Sequence, residues 1–135
     1  MKLLTFGAFD TPHIGHAIFL ERCKRLSDEV IVAIHTDEFA ASYKRTPAFP
    51  YEKRASIVAR LGVRVIANTG PGREIIIAEK PDLLVVGTDW MDRDFLGFNA
   101  VTRAEIESWQ IGIVYLPYTN EVSTTDILQA SRPSS

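Results

Sequence analysis

Cysteine is almost missing from this chain: 135 residues contain one, Cys23. A lone thiol closes no internal disulfide, so the fold must rest on packing, and a reducing compartment is expected. An excess of either charge is missing too. Fifteen basic and 17 acidic side chains leave a formal net charge of −2, without the basic surplus that a nucleic-acid partner requires. No apolar run approaches the ~20 residues that span a bilayer, so no membrane partner is expected. Met1 leads straight into an apolar run, which leaves no room for a signal peptide. A cytoplasmic protein is the expectation. With 46% hydrophobic and 24% charged residues, the chain can bury a core of its own. We expect one domain over residues 1–131 and a disordered tail over 132–135.

Strand and helix patterns alternate. Residues 2–6 and the β-branched runs 29–35, 63–67, 82–87 and 111–116 read as strands, the fourth of them central. Such runs without polar alternation fit parallel strands buried on both faces. Between them, residues 17–26, 51–60, 73–80 and 101–109 have helical spacing, and Asp37 is expected to cap a short helical turn. Residues 42–50 form a polar loop, 88–100 an irregular segment, and a last helix starts at Ser123. The order predicts an α/β fold: a doubly wound parallel sheet of about five strands with helices on both faces. Ligands bind such sheets beyond the carboxyl ends of the strands.

The segment Gly7-Ala8-Phe9-Asp10-Thr11-Pro12-His13-Ile14-Gly15-His16 falls at the first strand-to-helix turn. Backbone N–H groups at a helix start lack intrahelical partners and carry the positive end of the dipole, so they attract anions. His13 and His16 share one face of that turn and are expected to face a phosphate. No Cys, His or carboxylate set with zinc spacing accompanies them. Phe9 is expected in the core, and Asp10 bracing loop N–H groups. Lys44 and Arg45 stand in a loop long enough to fold over a ligand, with Arg54 one turn into the next helix. Ser123 and Thr124 are placed to cap the last helix, a second anion site. Spacing leaves Asp89 and Trp90 either covering the surface or lining a pocket.

Together these motifs resemble the cytidylyltransferase family within the nucleotidylyltransferase group. Its first signature, G-T-F-D-x-x-H-x-G-H, is similar to Gly7 through His16. Its Ser-Thr-Asp-Glu-Phe segment is similar to His35-Thr36-Asp37-Glu38-Phe39, and its Tyr-Glu-x-Arg to Tyr51 through Arg54. Gly-Asp-Asp-Trp appears as Gly87-Thr88-Asp89-Trp90, and R-T-x-G-I-S-T-T as Tyr118 through Thr125. The chain departs from these signatures at Ala8, Tyr118 and Glu121, and it has Gly62 where the family places an arginine eight residues beyond the one in Tyr-Glu-x-Arg.

The resemblance implies a Rossmann-like fold, a homodimer, and transfer of CMP from CTP to an alcohol phosphate such as glycerol 3-phosphate. Magnesium would be carried by the substrate. His13, His16 and Lys44 would be catalytic, and Phe9, Asp10, Gly15, Arg54, Asp89, Thr119, Ser123 and Thr124 would bind the nucleotide. Trp90 and Tyr118 would meet the acceptor. Two alternatives stay open: an ATP-dependent adenylyltransferase acting on a sugar phosphate or phosphopantetheine, and a nucleotide-binding module without turnover.

Overall fold

The structure is a computed structural model that describes residues 1–117. Tyr118, Thr119, Ser123, Thr124, the expected last helix and the tail lie outside the described residues. Five strands form one sheet: β1 (Lys2–Gly7), β2 (Glu29–His35), β3 (Arg64–Asn68), β4 (Leu83–Gly87) and β5 (Gly112–Leu116). Their order is β3-β2-β1-β4-β5, and every pairing is parallel. β1 is therefore the central strand. β4 is interior but one place off centre, which corrects the expectation for residues 82–87.

The intervening helices are α1 (Ile14–Leu26), α2 (Asp37–Tyr43), α3 (Tyr51–Ala59), α4 (Arg73–Glu79), α5 (Phe95–Phe98) and α6 (Arg103–Ser108). Because side chains alternate along a strand, β2 sends Val30, Val32 and Ile34 to one face and Ile31 and Ala33 to the other. The first set packs with Phe19, Leu20 and Val58 of α1 and α3. The second packs with Ile76, Phe95 and Ile106 of α4, α5 and α6. Helices thus cover both faces, as the alternating pattern predicts. Chain direction across the sheet reverses between β1 and β4, and that reversal opens a crevice at the carboxyl edge.

Several boundaries differ from the sequence pattern where caps decide them. Thr36, not Asp37, caps α2, because its hydroxyl accepts the Phe39 N–H at 3.3 Å. Thr102 and Glu105 form a capping box that starts α6 at Arg103 rather than two residues earlier. The segment expected to be irregular holds a 3-10 turn over Thr88–Trp90 and the single helical turn α5, capped by Asp94. Four residues are too few to show a helical period.

Gly72, at the head of α4, fixes how the site's far wall packs. A Cβ there would stand 2.6 Å from Phe6 Cε1 and 2.7 Å from Asn99 Oδ1, and Asn99 Oδ1 accepts the Gly72 N–H at 3.0 Å. Gly72→Ala is expected to lower stability by about 1–3 kcal/mol through overpacking, read as a drop in the urea midpoint without a change in slope.

Candidate active site

A cavity of about 690 Å³ lies at the carboxyl edge, walled by the β1–α1 turn, the ends of β2 and β4, α2 and α5. Phe9, Asp10, His13, His16, Lys44, Asp89 and Trp90 all line it, so the structure brings these expected residues together. Gly15 is buried behind them and contributes its N–H to the helix cap.

The turn is shaped by Phe9, whose φ of 49° is left-handed and folds its ring back over Gly7. A Cβ on Gly7 would meet that ring at 2.7 Å, which is why the turn has glycine there. The Phe9 ring is buried, as expected, with its centroid 5.0 Å from that of His16.

The two histidines start α1 by capping each other's backbone. His13 is the N-cap, and its Nδ1 accepts the Gly15 N–H at 2.9 Å. His16 Nδ1 accepts the His13 N–H at 3.0 Å. A ring nitrogen that accepts a hydrogen bond carries no proton, so each neutral ring keeps its proton on Nε2. The centroids lie 4.1 Å apart. Burial, with His13 beside it, holds the His16 pKa down to about 4. At neutral pH His16 is an uncharged N–H donor.

Asp10 braces the loop across the cavity mouth, as expected. Its carboxylate accepts the Ala48 N–H at 2.6 Å and pairs with the exposed Arg45 at 3.2 Å. Lys44 follows α2 directly and stands exposed at the same mouth. Among the described residues, no group of three or more His, Cys, Asp or Glu is placed to hold a metal ion.

Arg54 departs from the expectation that it binds nucleotide. Its side chain is 0% exposed and does not line the cavity. Its guanidinium donates to Ala8 O at 2.5 Å, His35 O at 2.8 Å, Phe49 O at 2.9 Å and the Asp37 carboxylate at 2.6 Å. The guanidinium fork is spent on carbonyls at and beyond the strand ends and on one carboxylate.

His35, which was not among the expected site residues, ends β2 inside the cavity. Its signal in the sequence is a ring nitrogen closing an otherwise apolar run. Nδ1 lies 2.6 Å from the Tyr43 hydroxyl. Burial, followed by the charges of Arg54 and Lys44, pushes its pKa down to about 4.

A family described as cytidylyltransferase-like matches residues 4–130 of this sequence. The chain belongs to the cytidylyltransferase-like family. By class it is a nucleotidylyltransferase. This cytidylyltransferase-like chain is 35% identical over 133 residues to the glycerol-3-phosphate cytidylyltransferase of Bacillus subtilis (strain 168), covering 93% of each. It is 35% identical over 137 residues to the bifunctional protein HldE of Aeromonas hydrophila, spanning 96% of this chain and 27% of that protein. Among solved structures, a lipopolysaccharide core biosynthesis protein from Thermoplasma volcanium superposes with a TM-score of 0.71 at 25% identity, over 89% of this chain and 98% of that one. A pantothenate synthetase from Thermus thermophilus shares the fold, with a TM-score of 0.61 at 15% identity over 93% of this chain and 60% of its own.

Two predictions come from these contacts. Arg54→Ala is expected to cost on the order of 3 kcal/mol, because several buried acceptors lose their donor at once; urea unfolding measures it, and Arg54→Lys recovers only part. The histidines set a pH dependence. His16 and His35 bind protons near pH 4 when folded and near 6.5 when unfolded. The unfolded state therefore takes up more protons in that interval, and stability is lost as pH falls through it. A combined loss on the order of 5 kcal/mol between pH 7 and 4.5 is expected, whereas stability that stays level down to pH 4.5 would exclude these two groups.

Proposed function

We propose that the chain transfers CMP from CTP to the phosphate of a small alcohol phosphate of the glycerol 3-phosphate type, giving a CDP-alcohol and pyrophosphate. The carrying observation is the pair of imidazoles at the head of α1, both with Nδ1 engaged by backbone N–H groups, lining one cavity with Lys44 and Arg45. An acceptor phosphate oxygen attacks the α-phosphorus in line. The new P–O bond forms as the bond to the bridging oxygen breaks, and pyrophosphate leaves with the electron pair. Negative charge grows on the departing oxygens during this step. Fixed Nε2–H donors and the dipole of a 13-residue helix stabilise that charge without reorganising. The reaction needs no covalent intermediate, so positioning and charge stabilisation supply the catalysis.

Lys44 has the compact charge and flexible stem for a phosphate contact at the cavity mouth. Thr119, Ser123 and Thr124 would hold the triphosphate from the side opposite α1, Asp89 and Trp90 would adjoin the base and acceptor, and Tyr118 would meet the acceptor. Magnesium enters as part of the nucleotide, neutralising phosphate charge when bound. Similarity to the Bacillus subtilis enzyme supports CTP and glycerol 3-phosphate as the substrate pair. A homodimer in the cytoplasm, without nucleic-acid or membrane partners, completes the reading. No helix among the described residues is long and apolar enough to cross a membrane.

Pyrophosphate release tests the proposal, with CTP, ATP, GTP or UTP, magnesium and glycerol 3-phosphate. Release with CTP is expected. Release with ATP alone would reassign the chain as an adenylyltransferase, and nucleotide binding without release would leave a binding module. His16→Asn keeps an acceptor for the His13 N–H but removes the Nε2 donor, and should lower kcat about a hundredfold.

A further inference from the structure

β2 is apolar from Val30 to Ile34 and then ends in His35, which is 4% exposed. Its Nδ1 is paired with Tyr43, but its Nε2 is buried with no hydrogen-bond partner among the described residues. Buried polar atoms are rarely left so. His35 is one of the residues that line the cavity. Asn68 is the register partner of His35 on β3. Paired residues of parallel strands project to the same face, here that of Ile31, Ala33 and Ile66. Asn68 is 1% exposed, and its Nδ2 also has no partner among the described residues. Two orphaned polar atoms thus stand on neighbouring strand ends.

Their surroundings say what they fit. The His35 ring is already packed by Phe39, Tyr43 and Phe98, with centroids at 4.8, 5.6 and 6.4 Å. That packing leaves an atom to contact rather than a slot for a base. A nucleotide belongs in the crevice between β1 and β4, whereas β2 lies on the other side of β1. The β2 side is left for the second substrate. If Tyr43 donates to Nδ1, Nε2 carries the ring proton and donates; if Nδ1 donates to Tyr43, Nε2 accepts; an alcohol hydroxyl oxygen serves either tautomer. The Arg54 guanidinium donates to the His35 carbonyl at 2.8 Å, and Lys44 lines the same cavity. Among the charged residues lining the cavity, Lys44, Arg45 and Arg93 outnumber Asp10 and Asp89, and that excess disfavours a cation.

We propose that His35 Nε2, oriented by Tyr43, binds an oxygen on the alcohol portion of the acceptor and restricts acceptors to phosphates of neutral or anionic polyols, against phosphocholine and phosphoethanolamine. This rests on the nucleotidyl-transfer reading of the same cavity.

Two substitutions separate the ring's two nitrogens. Asparagine reproduces the Nδ1 position and so the Tyr43 contact, and glutamine reproduces Nε2. For loss of one hydrogen bond to substrate, His35→Asn should raise the KM for glycerol 3-phosphate about tenfold, with kcat and the KM for CTP within about twofold, while His35→Gln stays within about threefold of the parent. Wild-type protein should release little pyrophosphate with phosphocholine or phosphoethanolamine. Equal KM effects of the two substitutions, an effect on CTP instead, or ready use of phosphocholine would overturn the assignment and leave nucleotidyl transfer intact. Failure of every nucleotide and acceptor to release pyrophosphate would sink the transfer reading instead. The imidazole nitrogen resonances of His35 then decide the subsite: a shift on adding glycerol 3-phosphate keeps it, and none removes it.

Discussion

The carboxyl edge of the sheet depends on one buried cation. Arg54 reaches from α3 to the turn after β1, the last carbonyl of β2, the first residue of α2 and the loop before its own helix. Each of these groups stands at or beyond the end of a strand, where backbone groups need a partner. A planar fork with several donors can serve them together, and an ammonium cannot. The walls of the cavity are consequently referenced to a single point. The Asp37 carboxylate, partly open to solvent, completes the charge balance without closing the cavity.

The residues that face the cavity are also the residues that build it. His13 and His16 begin α1 by satisfying backbone N–H groups, and the same contacts settle where each imidazole keeps its proton. Asp10 holds the loop that follows Lys44 and Arg45 at the cavity mouth. Orientation is thereby set before substrate arrives, which is the condition under which a dipole helps most in a reaction.

The strands are legible in the sequence because an uninterrupted β-branched run fits little else in a chain of this size. The histidine turn is legible because strand, glycine-rich turn and helix occur in the one order that makes an anion site. The role of Arg54 is not, for a physical reason. Its spacing from Tyr51 places it on the helix but says nothing of whether its fork meets phosphate or backbone carbonyls. His35 stays hidden because a histidine ending an apolar run looks like core until its unpaired nitrogen is seen. The single turn of α5 and the Thr36 cap hang on side-chain to N–H contacts between near neighbours, and periodicity does not register them.

Cys23 offers a consequence of a different kind. It faces the sheet from α1 at 0% exposure, and burial pushes its thiol up to about 12. The nucleophile is the thiolate, so the folded protein offers alkylating reagents and oxidants almost nothing to attack. Because there is one cysteine, any label found on the chain records an excursion of α1 away from the sheet. The residue works as a built-in counter of opening events beneath the very helix whose first turn carries the histidines.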